Sequence, residues 1–313
     1  MALIPAINAN NLDTVKELLQ EGTNPNVYEV FGRKTPLIVA AENNCHEVMH
    51  ELLKHKVSVG HADRWGNTAL HYAAGKGYLR CVILLLLHHS PVDVFNRRLH
   101  TPLMRAAMKG HEEVVRHLLN NHATFTSQLN EKKETALTLG CRSGNVEVVQ
   151  LLLDRASPLE DRSAELYYGL REAVALSHAE VVKVLLQHGS DVNHSDDTTS
   201  PVIFLAVTSG TVAILNLLIA EGADLEKVNA QGYTPLMKAT AMGRKDMVDA
   251  LLAAGMLLEF QNHSLYMFML FTGANAKARR RGRSETALTI AKKEGQNDIL
   301  RLILRALKRE EPL

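Results

Sequence analysis

The feature that most constrains this chain is a beat. Thr-Pro/Ala-Leu occurs at Thr35-Pro36-Leu37, Thr68-Ala69-Leu70, Thr101-Pro102-Leu103, Thr135-Ala136-Leu137, Thr234-Pro235-Leu236 and Thr286-Ala287-Leu288. The first four lie 33 or 34 residues apart, and two missing beats fall near Tyr168 and Pro201. Glycine keeps the same time at Gly77, Gly110, Gly144, Gly210 and Gly243, and again at Gly189, Gly222 and Gly255. Units of this length cannot bury an apolar face alone, so such a chain must stack them into a quasi-linear array.

Each marker has a physical role. Thr before a helical pattern accepts from the exposed backbone N–H groups of the first turn, and Pro fits there because its missing donor costs nothing. Glycine nine residues after the Thr suits a left-handed residue that ends a short helix. A second helix follows, with stripes such as Glu113-Val114-Val115 with Leu118-Leu119, Glu147-Val148-Val149 with Leu152-Leu153, and Glu180-Val181-Val182 with Leu185-Leu186. A turn and an extended loop close the unit.

These residues resemble ankyrin repeats. Thr68-Ala69-Leu70-His71-Tyr72-Ala73-Ala74-Gly75-Lys76-Gly77 is similar to the family signature T-P-L-H-x-A-A-x-x-G, and the stretches from Thr101 and Thr234 follow it too. The resemblance implies an all-α fold, an ankyrin-repeat solenoid of helix-turn-helix-loop units of about 33 residues. The whole chain reads as a single array with units near 1–34, 35–67, 68–100, 101–134, 135–167, 168–200, 201–233, 234–262 and 286–313, and an inserted loop at 263–285. It implies a protein-protein interaction scaffold or adaptor that receives a partner peptide or protein surface on a concave face.

Chemistry finds no foothold. The chain has no phosphate-binding loop, nucleophile elbow or HExxH zinc motif. Cys45, Cys81 and Cys141 have neither disulfide-framework nor metal spacing; Cys81 and Cys141 read as small core residues, and Cys45 is expected to be more exposed. The 15 histidines fall mostly at repeat positions, His71 at the signature histidine, so structural roles explain them. The chain reads as no enzyme, with no cofactor and no metal. Its N-terminus has no basic n-region, and its purely apolar runs fall far short of the ~20 residues that span a bilayer. The expectation is a monomeric, soluble protein of the cytoplasm or nucleus without a membrane span.

Net charge is +1, so only local charge can name a partner. Mapping loop tips and first-helix surfaces by phase gives a cationic strip: Arg33, Lys34, Arg64, Trp65, Asn67, Lys76, Arg97, Arg98, His100, Lys109, Lys132, Lys133 and Arg142, diluted by Glu42, Glu131 and Glu134. Other proteins with acidic segments are the expected partners, with Trp65 as an aromatic anchor. The alternative is nucleic acid or another anionic surface, bound by this strip or by Lys277, Arg279, Arg280, Arg281 and Arg283; the near-zero net charge and the lack of reading motifs count against it. That basic cluster lies in the insertion, behind the apolar run Leu265–Phe271, and also reads as a nuclear-localisation signal. Asn193, in Asp191-Val192-Asn193, resembles asparagines hydroxylated in the family; the competing reading is a polar residue that stabilises its loop.

Overall fold

A computed structural model describes residues 3–29, 31–121, 128–155, 162–194, 200–254 and 286–309. Every regular element among the described residues is a helix. The chain forms two compact units, residues 1–165 and 166–313.

The first unit holds five helix pairs: α1 (Leu3–Asn8) with α2 (Leu12–Gln20), α3 (Pro36–Glu42) with α4 (His46–Leu53), α5 (Ala69–Lys76) with α6 (Leu79–Leu87), α7 (Pro102–Met108) with α8 (Glu112–Asn120), and α9 (Ala136–Ser143) with α10 (Val146–Asp154). First helices stack on first helices and second on second, and the first helices pack more closely. Side-chain size explains the difference. The stacked faces of α3, α5 and α7 are rich in buried alanine (Ala40, Ala41, Ala69, Ala73, Ala74, Ala106, Ala107), whereas α8 and α10 bury Val114, Val115, Leu118 and Leu119, and Val148, Val149, Leu152 and Leu153. Small residues let backbones approach, which accounts for the closer packing of the first-helix layer.

The capping chemistry follows the sequence. Thr35, Thr68, Thr101 and Thr135 are extended N-cap residues whose side chains accept from the backbone N–H three residues on. Pro36 and Pro102 occupy the first helical turn. Gly77 ends α5 with φ of 74° and lies under the His111 ring, so close that a Cβ would meet Nδ1 at 2.6 Å. Asn44 and Ser177 adopt the same left-handed conformation at equivalent positions.

The second unit contains α11 (Ser163–Ala175), α12 (Ala179–Gln187), α13 (Val202–Thr208), α14 (Val212–Ala220), α15 (Pro235–Ala241), α16 (Lys245–Ala253), α17 (Ala287–Lys293) and α18 (Asn297–Arg309), with α11 starting at the boundary between the two units. Three details depart from the repeat pattern. Near the missing beat at Tyr168 the first helix starts early: α11 begins at Ser163 and runs 13 residues, which puts Tyr168 mid-helix and Tyr167 wholly in the core. Gly210 is not left-handed; its N–H closes on Leu205 O and Ala206 O as a tightened helix end. Cys45, expected near the surface, is 4% exposed, with its Sγ 3.7 Å from Ile7 O, because the preceding helix pair covers it.

Residues 255–285, which hold the whole insertion, fall outside the described residues. On either side of them the stacking is continuous: α17 packs on α15 and α18 on α16.

Leu119 is 5% exposed at the end of the α8 stripe. Leu119→Ala removes apolar contacts there and should cost about 2–5 kcal/mol. Chemical denaturation of the full chain, followed by helical circular dichroism, should show the earliest transition moving to lower denaturant.

Candidate binding cleft

The surface of the first unit that gathers the expected residues is built from loop tips. Three tips are five-residue turns, each closed by a backbone pair, Asp63 to Asn67, Asn96 to His100 and Asn130 to Glu134, with the first N–H donating to the last carbonyl at 2.9 to 3.0 Å. The opening side chain locks the turn from inside. Asp63 Oδ1 accepts from the N–H of Trp65 and Asn67, Asn96 Oδ1 from Arg98 and His100, and Asn130 Oδ1 from Lys132 and Glu134. The fourth residue is left-handed every time: Gly66, Leu99 and Lys133. Neighbouring tips are joined by Arg64 N–H to Gly32 O and Arg97 N–H to Trp65 O.

Side chains carry this coupling inward. The Asn96 amide donates to Asn67 Oδ1 at 2.9 Å. The Thr68 N–H donates to His71 Nδ1, which leaves His71 Nε2–H to reach His100 O at 3.0 Å in the next repeat. His71 is fully buried, and burial pulls its pKa down to about 4, so it is neutral at physiological pH. Burial likewise lowers the pKa of His100 and His111.

Between these tips and the first helices lies a cleft of about 770 Å³, lined by Trp65, Asn67, Asn96, Arg97, Arg98, His100, Arg105, Met108, Asn130, Glu131, Lys132, Glu134 and Arg142. It brings together Trp65, Asn67, Arg97, Arg98, His100, Lys132 and Arg142 from the strip expected by phase. The cations Arg97, Arg98, Arg105, Lys132 and Arg142 outnumber the carboxylates Glu131 and Glu134. Arg142 is already paired with Glu134, whose second oxygen accepts from Asn130. Desolvation works against the charge on Glu134, yet the bonds from Asn130 and Arg142 hold its carboxyl below the usual range.

The other expected residues lie outside the cleft lining. Lys34 pairs with Glu42 and sits 5.0 Å from the Tyr72 ring, and Lys76 donates to Glu42 O. Arg33 and Arg64 stack over Tyr28 and Trp65, and Arg64 also donates to Phe31 O. Lys109 and Lys133 are exposed. Asn67 departs from expectation: it is 9% exposed because its amide is turned inward to meet Asn96, so it braces the tips and offers little surface to a partner.

Asn193 stands in the second unit. Its amide donates to Gly222 O at 2.8 Å and accepts from Asp224 N–H at 2.7 Å, stapling one turn to the next. Lys277, Arg279, Arg280, Arg281 and Arg283 lie outside the described residues, as does Leu265–Phe271. Among the described residues no group of His, Cys, Asp and Glu could hold a metal ion, and no helix is long and apolar enough to cross a membrane. The thiols of Cys45 and Cys81 are pushed up by burial, Cys81 to about 12, which removes thiolate reactivity.

Two kinds of residue shape the cleft without belonging to the strip mapped by phase. Asp63, Asn96 and Asn130, with Asn229 in the second unit, each stand five residues before the signature Thr, a periodicity visible in the sequence. Arg105 leaves no such signal, since nothing along the chain says that its side chain reaches back over the preceding repeat.

Comparison with known proteins agrees with this architecture. The family model described as ankyrin repeats (3 copies) matches residues 3–98, 87–162 and 170–262. This chain belongs to the ankyrin-repeat family. It is similar to a transient receptor potential cation channel subfamily A member 1 homolog of Caenorhabditis elegans, 30% identical over 197 residues, 63% of this chain and 16% of that protein. A putative ankyrin repeat protein of fowlpox virus is 28% identical over 164 residues, 50% of this chain and 48% of the viral one. The chain thus spans under half the length of these relatives. Among solved structures, the human ASB11 ankyrin repeat domain superposes with a TM-score of 0.61 at 24% identity, covering 71% of this chain and 98% of that domain, a likeness of fold.

Two predictions follow from the tip network. With its folded pKa depressed, His71 favours the native state fully above pH ~6.5 and loses that contribution as pH falls toward 4, by up to about 3 kcal/mol. Stability measured at pH 7 and pH 5 should therefore fall more in the wild type than in His71→Gln. Gly66 has φ of +78°, and a Cβ there would meet Arg97 N at 2.9 Å. Gly66→Ala should cost at least about 1–2 kcal/mol in a thermal melt.

Proposed function

We propose that this chain, a member of a family whose repeats are generally protein-protein interaction modules, acts as a scaffold or adaptor whose cleft in the first unit receives an acidic segment of a partner protein. The observation that carries this reading is the cleft itself, where Arg97, Arg98, Arg105 and Lys132 converge beside Trp65, 46% exposed. Complementary charge speeds encounter, while an aromatic anchor slows release. The side chains of Arg97 and Arg98 make no hydrogen bond or ion pair among the described residues, so their charge is available to a partner.

Nucleic acid is the competing reading. Glu131 and Glu134 in the lining count against a polyanion, which would pass both carboxylates. A polyanion would also bind with a steep loss of affinity as salt rises.

The test is a charge-reversal set. Arg64→Glu, Arg97→Glu, Arg98→Glu and Lys132→Glu together should abolish affinity capture of partners while leaving the circular dichroism and melt intact, since all four side chains are exposed. Capture of the same partners at undiminished yield would overturn the proposal. Capture of RNA or DNA that titrates away between low and high salt would favour the competing reading.

A further inference from the structure

One side chain in the cleft is in an unbalanced position. Arg105 projects from α7 back over the preceding repeat, filling the space above Gly75, where a Cβ would come within 2.7 Å of its Nε. Nε is buried and has no hydrogen-bond partner among the described residues. Nor does the guanidinium form an ion pair among the described residues. Asp63 acts on Arg105 through its charge alone, because its oxygens are spoken for: one accepts from Trp65 N–H and Asn67 N–H, the other from Tyr72 Oη–H. Glu134 is committed to Arg142 and Asn130.

A desolvated charge without a hydrogen-bonded counter-charge costs stability, and a planar guanidinium meets that cost best by taking a carboxylate in two parallel hydrogen bonds. Gly75 is what admits the side chain, so the vacancy at one repeat and the arginine of the next form one device. The surroundings narrow the ligand further. Met108 and Trp65 line the same cleft and offer apolar contact. Glu131 and Glu134 penalise a dianion more than a singly charged group, which favours carboxylate over phosphate.

We propose that Arg105 is the specificity-determining residue of the cleft, a receptor for one peptide carboxylate flanked by a large apolar side chain. This rests on the reading of the cleft as a peptide-binding site and deepens it. The carboxylate comes from an Asp or Glu side chain or from a chain terminus; the chemistry at Arg105 is shared.

The experiment uses the full chain and a random dodecapeptide library displayed with free C-termini, selected in parallel on wild type, Arg105→Gln and Arg105→Lys. Trp65 is the single tryptophan, so its fluorescence reports entry into the cleft. Peptides enriched on wild type should carry an Asp or Glu beside an apolar residue, or should lose binding on C-terminal amidation; Glu→Gln replacement and amidation, made separately, tell the two sources apart. For the best synthetic peptide, Arg105→Gln should raise Kd about tenfold or more, Arg105→Lys should restore only part of it, and neutralising the peptide's carboxylate should matter in wild type but not in Arg105→Gln. If Arg105→Gln does not fold, Arg105→Lys and the neutralised peptide on wild type carry the test. Peptides that quench Trp65 equally in wild type and Arg105→Gln would overturn the role of Arg105 while leaving the cleft a binding site. A library that enriches nothing on wild type and leaves Trp65 fluorescence unchanged would overturn both.

Discussion

The structure depends on the fact that each helix pair has two apolar sides and no third layer to cover them. Leu70, Val82 and Leu85 are fully buried, yet their covering comes from the pairs immediately before and after. Stability is therefore a chain of neighbour terms, and a unit survives a poor signature if its stripe is kept. Around α11 the Thr-Leu cap is gone, but Leu170, Ala173 and Val174 still point inward and the helix persists. The same logic accommodates the insertion: what α15 and α16 require is the faces of α17 and α18, not their proximity in sequence.

A second layer of organisation is polar and sits at the tips. Loops without regular secondary structure are ordinarily the mobile part of a fold, but here Asp63, Asn96 and Asn130 close each turn with side-chain bonds, while Asn67, His71 and His100 link one turn to the next. A surface held in this way loses less entropy on binding than a free loop does. The requirement for a neutral, buried His71 ties that rigidity to the same stacking that builds the core.

Charge on this surface is less available than a residue count suggests. Lys34 and Arg142 are each satisfied by a glutamate of the same unit, and Arg33 and Arg64 lie over aromatic rings. These part-buried pairs decide which cations remain to meet a partner. The balance leaves Arg97, Arg98 and Lys132 at the rim of the cleft and Arg105 in its wall.

The repeat unit was legible in the sequence because its determinants are local. A threonine caps the helix that follows it, a glycine turns the chain where it stands, and apolar spacing marks the buried face of its own helix. Those rules act over a few residues, so the order of helices and the core positions could be read directly. Three things required tertiary structure. Cys45 is buried and Asn67 turns inward because of residues 38 and 29 positions away, Ile7 and Asn96, whose approach depends on how repeats stack. The register at α11 was set by packing of Tyr167 after the cap signal had gone. Arg105 acquires its character from a missing side chain at Gly75, thirty residues earlier. Local chemistry is written along the chain, but desolvation and pairing depend on distances between neighbours, and only the folded array sets those.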